Sequence, residues 1–132
     1  MKLFVDDIRP APEGWLLAKS ISEAVSYLNR YGIPGAFGYS DKHITHVSLD
    51  HDISIETIVD GKVVPHPSPD TFQVVAHYMV EKMCGTNPSL DPDLVITTHS
   101  ANPQGRKSIT GIFDDCGFTC TEAPLPQATR RI

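Results

Sequence analysis

Three short stretches of this chain gather residues able to do acid–base, anion or metal chemistry. "VDDIR" carries Asp6, Asp7 and Arg9. "LDHD" carries Asp50, His51 and Asp52. "THSANPQGR" carries His99, Ser100, Asn102, Gly105 and Arg106. Each follows an apolar run, and charged groups at the end of a core strand are costly unless they are paired or used. Carboxylates brought close together raise one another's pKa unless a cation neutralises them. Asp6, Asp7, Asp50 and Asp52 are therefore candidate ligands for a hard cation, Mg2+ or Mn2+. His51 with Asp50 and Asp52 could also take Zn2+, less favoured without thiolates nearby. His51 and His99 belong to the residue type that ordinarily titrates near neutrality, so they are candidate proton carriers with Asp50. Ser100, Asn102 and the N–H groups of Gln104 to Arg106 open an expected helix, whose N-terminus attracts anions. Gly105 would let a ligand approach closely, Arg106 would add charge, and Arg9 can fork onto a phosphate. Each feature also has a plainer reading: aspartates capping turns, histidines satisfied by carbonyls, Arg9 paired with the acids beside it. His43, His46, His66 and His77 read as structural or exposed.

The elements that must position these residues can be traced along the chain. Lys2 to Val5, Trp15 to Ala18, Thr45 to Leu49, Leu94 to Thr98 and Phe118 to Thr121 read as short strands. Ser20 and Glu23 have capping-box spacing, and Ile21, Ala24, Val25 and Leu28 mark one face of a first helix. Gly32, Pro34, Gly35 and Gly38 end it in a loop. Asp60-Gly61 between two β-prone runs predicts a hairpin near residues 54–65. Ser68-Pro69 predicts the start of a helix that runs to about Cys84, with Phe72, Val75, Ala76, Met79, Val80 and Met83 at helical spacing. Ile109, Ile112, Phe113 and Cys116 mark a further helix, weakened by Gly111. The last residues read as a tail.

Strands alternating with helices predict a doubly wound, mostly parallel α/β sheet with helices on both faces and the hairpin inserted. The connection from the first strand to Trp15 is short for a parallel crossover. In such sheets ligands bind beyond the carboxyl ends of the strands, near the switch point of strand order. All three polar clusters fall at such ends, and Asp7, Asp50 and His99 are expected to face one cleft. With 132 residues the chain fits one domain, residues 1–132. A net charge of −5 and a pI near 5.6 argue against an extended nucleic-acid footprint or an anionic membrane surface. No run is long enough to span a membrane, and none fits a signal peptide. The three cysteines include no CxxC pair. Cys84 and Cys116 fall at expected helix ends and read as core or near-core thiols, and Cys116 and Cys120 could pair if oxidised. The expected compartment is the cytoplasm. The exposed edges of the hairpin make a homo-oligomer through it plausible.

"FVDD" at the first strand end and "LD" at the third resemble the acidic pocket of response-regulator receiver domains. Thr98 stands where those domains place a Ser or Thr. The lysine they carry after the fifth strand has no counterpart in "CTEAPLP". The full set "DDIR", "SLDHD" and "HSANPQG" is more similar to a divergent relative, the cyclic-phosphate-processing receiver domain family, over Leu3 to about Phe118. The Asp60-Gly61 hairpin departs from that family's pattern, where a Gly would open the next helix. The resemblance implies a receiver-like (flavodoxin-like) fold. It also implies hydrolysis of a cyclic phosphate on a nucleotide or RNA end, with His51 and His99 as an acid–base pair bordering one anion site. The alternative it leaves open is a non-catalytic signalling or nucleotide-sensing module phosphorylated on Asp50.

Overall fold

The computed structural model describes residues 1–33 and 43–123. The loop expected around Pro34–Gly38 and the C-terminal tail lie outside them. The short apolar runs form strands β1 (Lys2–Val5), β2 (Trp15–Ala18), β3 (His46–Leu49), β6 (Val95–Thr98) and β7 (Cys120–Glu122) of one parallel sheet. Their order is β2-β1-β3-β6-β7. This is the flavodoxin-like, receiver-like order, in which connections leave β1 and β3 in opposite directions. Between them lie α1 (Ile21–Tyr31), a hairpin of β4 (Asp52–Val59) and β5 (Lys62–Thr71), α2 (Gln73–Met83) and α3 (Pro103–Asp114). The expected hairpin is present as a two-stranded sheet of its own. Its Asp60-Gly61 corner has φ of 52° and 76°, the mirror-image turn whose twist suits a hairpin.

Side chains alternate between the two faces of each strand. Leu3, Val5, Ala18, Val47, Leu49, Ile96 and Cys120 share one face and pack with Ala24 and Leu28 of α1, Val75, Ala76, Met79 and Met83 of α2, and Ile109 and Phe113 of α3. All three described helices thus bury their apolar sides in one core on one face of the sheet, not on both faces as expected, because the β1–β2 connection contains no helix. Phe4 is buried apart from that core, on the opposite face. There its ring meets Trp15 edge-on and stacks on His99.

Several boundaries differ from those the sequence predicts. The second strand exists despite its short connection, residues 6–14, which contain no helix. Helix α2 starts at Gln73 rather than at Ser68-Pro69, because β5 continues to Thr71 to pair with Asp52. The Phe72 N–H then donates to the His51 carbonyl at 2.9 Å. At α1 the Glu23 N–H donates to Ser20 Oγ as expected, while the Glu23 carboxylate reaches one residue further back, to the Lys19 N–H. Cys84 and Cys116 are exposed rather than near the core, since both helices stop before bringing them round to the buried face. Cys120 is the buried thiol, and burial, with Asp114 and Glu122 adding to it, pushes its pKa up to about 12.

Candidate functional site

Strand register carries three distant residues to one point. Phe4, Ser48 and Thr97 are level across β1, β3 and β6. Two residues further on, with the same side-chain parity, stand Asp6, Asp50 and His99. The ladder holds them level past the strand ends. The N–H groups of Asp6, Asp50 and His99 donate to the carbonyls of Ala18, Val5 and Leu49 at 3.0, 2.9 and 3.0 Å. All three side chains are buried at the carboxyl rim of the sheet, where strand order switches. His99 Nε2 lies 3.0 Å from Asp6 Oδ2. The other Asp6 oxygen accepts the N–H groups of Ile8 and Arg9, each at 2.9 Å, which turns the loop back on itself. That turn brings Arg9 between the carboxylates, with Nη1 3.2 Å from Asp6 Oδ2 and 3.5 Å from Asp50 Oδ2. Its side chain is 23% exposed and is the most open of the four.

The two carboxylates are driven apart in acidity. Burial alone would push Asp6 up, but the bonds from His99, from two backbone N–H groups and from Arg9 together hold it below the usual carboxylate range. Asp50 is pushed above that range by burial first and by the Asp6 charge second. The His51 N–H, His99 and Arg9 offset only part of this. One acid is thus kept ionised and its neighbour is biased toward holding a proton, the separation that acid–base sites employ.

Residues of the other parity lead to a second cluster, on the helix side of the sheet. His51 Nδ1 lies 2.7 Å from Asp52 Oδ1, and its Nε2 lies 2.7 Å from Gln73 Nε2. A carboxylate can only accept, so Nδ1 carries the proton and Nε2 accepts from the Gln73 amide. Asn102 caps α3, with Oδ1 accepting the Gln104 N–H at 3.0 Å, and its Nδ2 donates to both Asp52 oxygens at 3.4 Å. Ser100 Oγ accepts the Asn102 N–H, Arg106 Nη1 donates to the Ser100 carbonyl at 2.7 Å, and Arg106 Nε pairs with Glu122. A Cβ at Gly105 would stand 2.4 Å from His51 Cγ. The close approach that Gly105 allows is thus to the His51 ring.

The sequence-predicted residues therefore divide into two groups. Asp6, Asp50, His99 and Arg9 meet at the rim. His51, Asp52, Ser100, Asn102 and Arg106 bond among themselves and to Gln73 and Glu122, with Gly105 against the His51 ring. The expectation that both histidines border one anion site is corrected: among the described residues their ring nitrogens share no partner, because His51 and His99 have opposite parity at the strand ends. Of the Asp6–Asp7 pair, Asp6 is the one that joins Asp50 and His99. The Thr98 hydroxyl donates to the Leu49 carbonyl at 2.8 Å. Sequence reading missed Ser48, whose Oγ lies 2.7 Å from His99 Nδ1, and Gln73. The signal for Ser48 was available: a serine on a buried strand, two residues before Asp50.

Asp6, Asp50 and His99 each offer a ligand atom, all within 4.8 Å of one another, and they form the one such group among the described residues. Two carboxylate oxygens suit Mg2+ or Mn2+, whereas an imidazole nitrogen suits Mn2+ better than Mg2+. The two carboxylates fit a divalent cation, for which Arg9 competes by placing its own charge between them.

Residues 1–115 match the cyclic-phosphate processing receiver domain. The chain belongs to that family. No similar curated protein and no similar solved structure was found. The matched span includes both clusters and every strand of the sheet except β7. No helix of the described residues is long and apolar enough to cross a membrane.

Proposed function

We propose that this chain is a phosphoester hydrolase that opens a cyclic phosphate on a nucleotide or RNA end. The reading is carried by the convergence of Asp6, Asp50, His99 and Arg9 at the switch point of a sheet whose family is linked to cyclic-phosphate processing. In the reaction water adds to phosphorus and gives up a proton, the bond to one ribose oxygen breaks, and that oxygen takes a proton. Arg9, the open member of the site, would hold the non-bridging oxygens. Asp50, biased toward its protonated form, would move the proton. Asp6 and His99 would fix the charge around them. A divalent cation, Mg2+ or Mn2+, held by the Asp6 and Asp50 carboxylates would supply further positive charge for the phosphate.

The test is a screen of cyclic nucleotides and cyclic-phosphate RNA ends with Mg2+, Mn2+ and Zn2+, read by product analysis. Asp50→Asn should lower turnover of any active substrate by about 10²–10⁴-fold while staying folded. No product under any condition would overturn the hydrolase reading. Uptake of a stable phosphate from a small phosphodonor, lost in Asp50→Asn, would establish the signalling alternative instead.

A further inference from the structure

The His99 ring is held on three sides. Asp6 faces Nε2 at 3.0 Å, the Ser48 hydroxyl faces Nδ1 at 2.7 Å, and Phe4 lies against the ring face with centroids 4.1 Å apart and planes 11° from parallel. Serine 48 is itself 4% exposed and His99 1%. We infer that Ser48 is a positioning residue: it locks His99 as the Nε2–H tautomer and closes Nδ1 to substrate, so that His99 acts by fixing Asp6 rather than by exchanging protons with the phosphate.

The tautomer follows from what each partner can do. Asp6 accepts four N–H groups: those of Ile8 and Arg9 from the backbone, Arg9 Nη1, and the His99 ring. An ionised carboxylate has no proton to give, so His99 Nε2 must carry one. In the neutral ring Nδ1 is then the acceptor, and among the described residues its hydrogen-bond partner is Ser48. The serine hydroxyl rotates freely enough to donate there. With Nε2 on Asp6, Nδ1 on Ser48 and one face on Phe4, the ring has neither nitrogen free for a reacting oxygen. What it can do is pin Asp6 Oδ2, the oxygen that Arg9 also holds. A serine on β3 thereby orients the acid on β1 through a histidine from β6. The catalytic consequence rests on the hydrolase reading above, whereas the tautomer lock stands independently of it.

Long-range 1H–15N correlations of His99 separate the two. They would be recorded on the 15N-labelled full chain in alkaline buffer and assigned with His99→Gln. The wild type should show a protonated Nε2 and an Nδ1 signal shifted by an accepted hydrogen bond. Ser48→Ala should move Nδ1 by several ppm toward its unbonded position, and Ser48→Thr, which keeps a hydroxyl, should move it back. A protonated Nδ1 in the neutral wild-type ring, or an Nδ1 signal indifferent to Ser48→Ala, overturns the lock. On an active substrate, Ser48→Ala should lower kcat by up to about 100-fold with little change in KM, and Ser48→Thr should restore it. Wild-type turnover by Ser48→Ala, alongside a shifted Nδ1, overturns the positioning role. A wild-type chain that cleaves nothing overturns the hydrolase reading, and the spectra then decide the lock alone.

Discussion

Arg9 sets which charge sits between Asp6 and Asp50. Its guanidinium lies 3.2 and 3.5 Å from the two carboxylates, on a side chain open enough to swing out. If it competes with a cation for that place, Arg9→Gln should bind Mn2+ more tightly than wild type in calorimetry. Adding Asp50→Asn should remove the gain. Equal binding by wild type and Arg9→Gln would show that Arg9 does not compete for that place. Gly105 is constrained differently. Alanine there would favour the helix by about 1 kcal/mol, yet its Cβ would fall 2.4–2.7 Å from three atoms of His51. His51 is buried and bonded at both nitrogens, so it has little room to yield. Gly105→Ala should cost a net ~1–3 kcal/mol in urea unfolding. The acidic and imidazole groups at the strand ends were legible, because polar residues directly after apolar runs stand out. Their division into two clusters was legible only through parity. Asp6, Asp50 and His99 continue the alternation of Phe4 and Ser48, whereas Asp7, His51 and Ser100 continue that of Val5 and Leu49. Ser48 and Gln73 matter for their partners, and partners on other strands and helices are visible only once register is known.

The hairpin and α2 form one unit with the helix-side cluster. Asp52 opens β4 and pairs with Thr71 at the end of β5. Gln73 opens α2, so the chain leaves His51, runs round the hairpin, and returns to bond the same ring. The start of α2 was misread for this reason: "SPDT" carries helix-opening residues, but pairing across the hairpin overrode them. The hairpin itself was legible from Asp60-Gly61, because a two-residue corner with positive φ restricts the residue types it accepts. Gln73→Ala should cost about 1 kcal/mol of stability by leaving His51 Nε2 without its donor. The half-exposed Asp52 contributes from the other nitrogen through a charge that water partly screens. Both partners act on one ring, so the double variant should depart from the sum of the single losses. Strict additivity in a double-mutant cycle would mean that His51 does not connect them.

At the scale of the whole molecule, one face of the parallel sheet holds the apolar core and the opposite parity ends in two acids that titrate in opposing directions. Asp6 is held below its ordinary pKa, so its contribution to stability is fully present above that ordinary value. It is lost as pH falls through the lower, folded value. Asp50 is held above its ordinary pKa, and the sign reverses. The folded chain binds that proton more tightly than the unfolded chain does. Ionising Asp50 therefore costs stability progressively as pH rises from the ordinary carboxylate value through the higher, folded one. For this pair, stability should rise with pH on the acid side and then decline across the Asp50 window. Asp50→Asn keeps an oxygen for the His51 N–H and removes the charge. It should be more stable than wild type near neutrality, and the advantage should fade as pH falls through the Asp50 window and be gone below the ordinary carboxylate value. Asp6→Asn should remove the acid-side rise and, because the Asp6 charge helps raise Asp50, also shrink the later decline. Thermal unfolding of the three proteins across this pH range checks both signs. An Asp50→Asn variant no more stable than wild type at neutral pH would mean that the Asp50 charge is already compensated in the folded chain. The rim would then hold a settled ion cluster rather than an acid poised to exchange its proton.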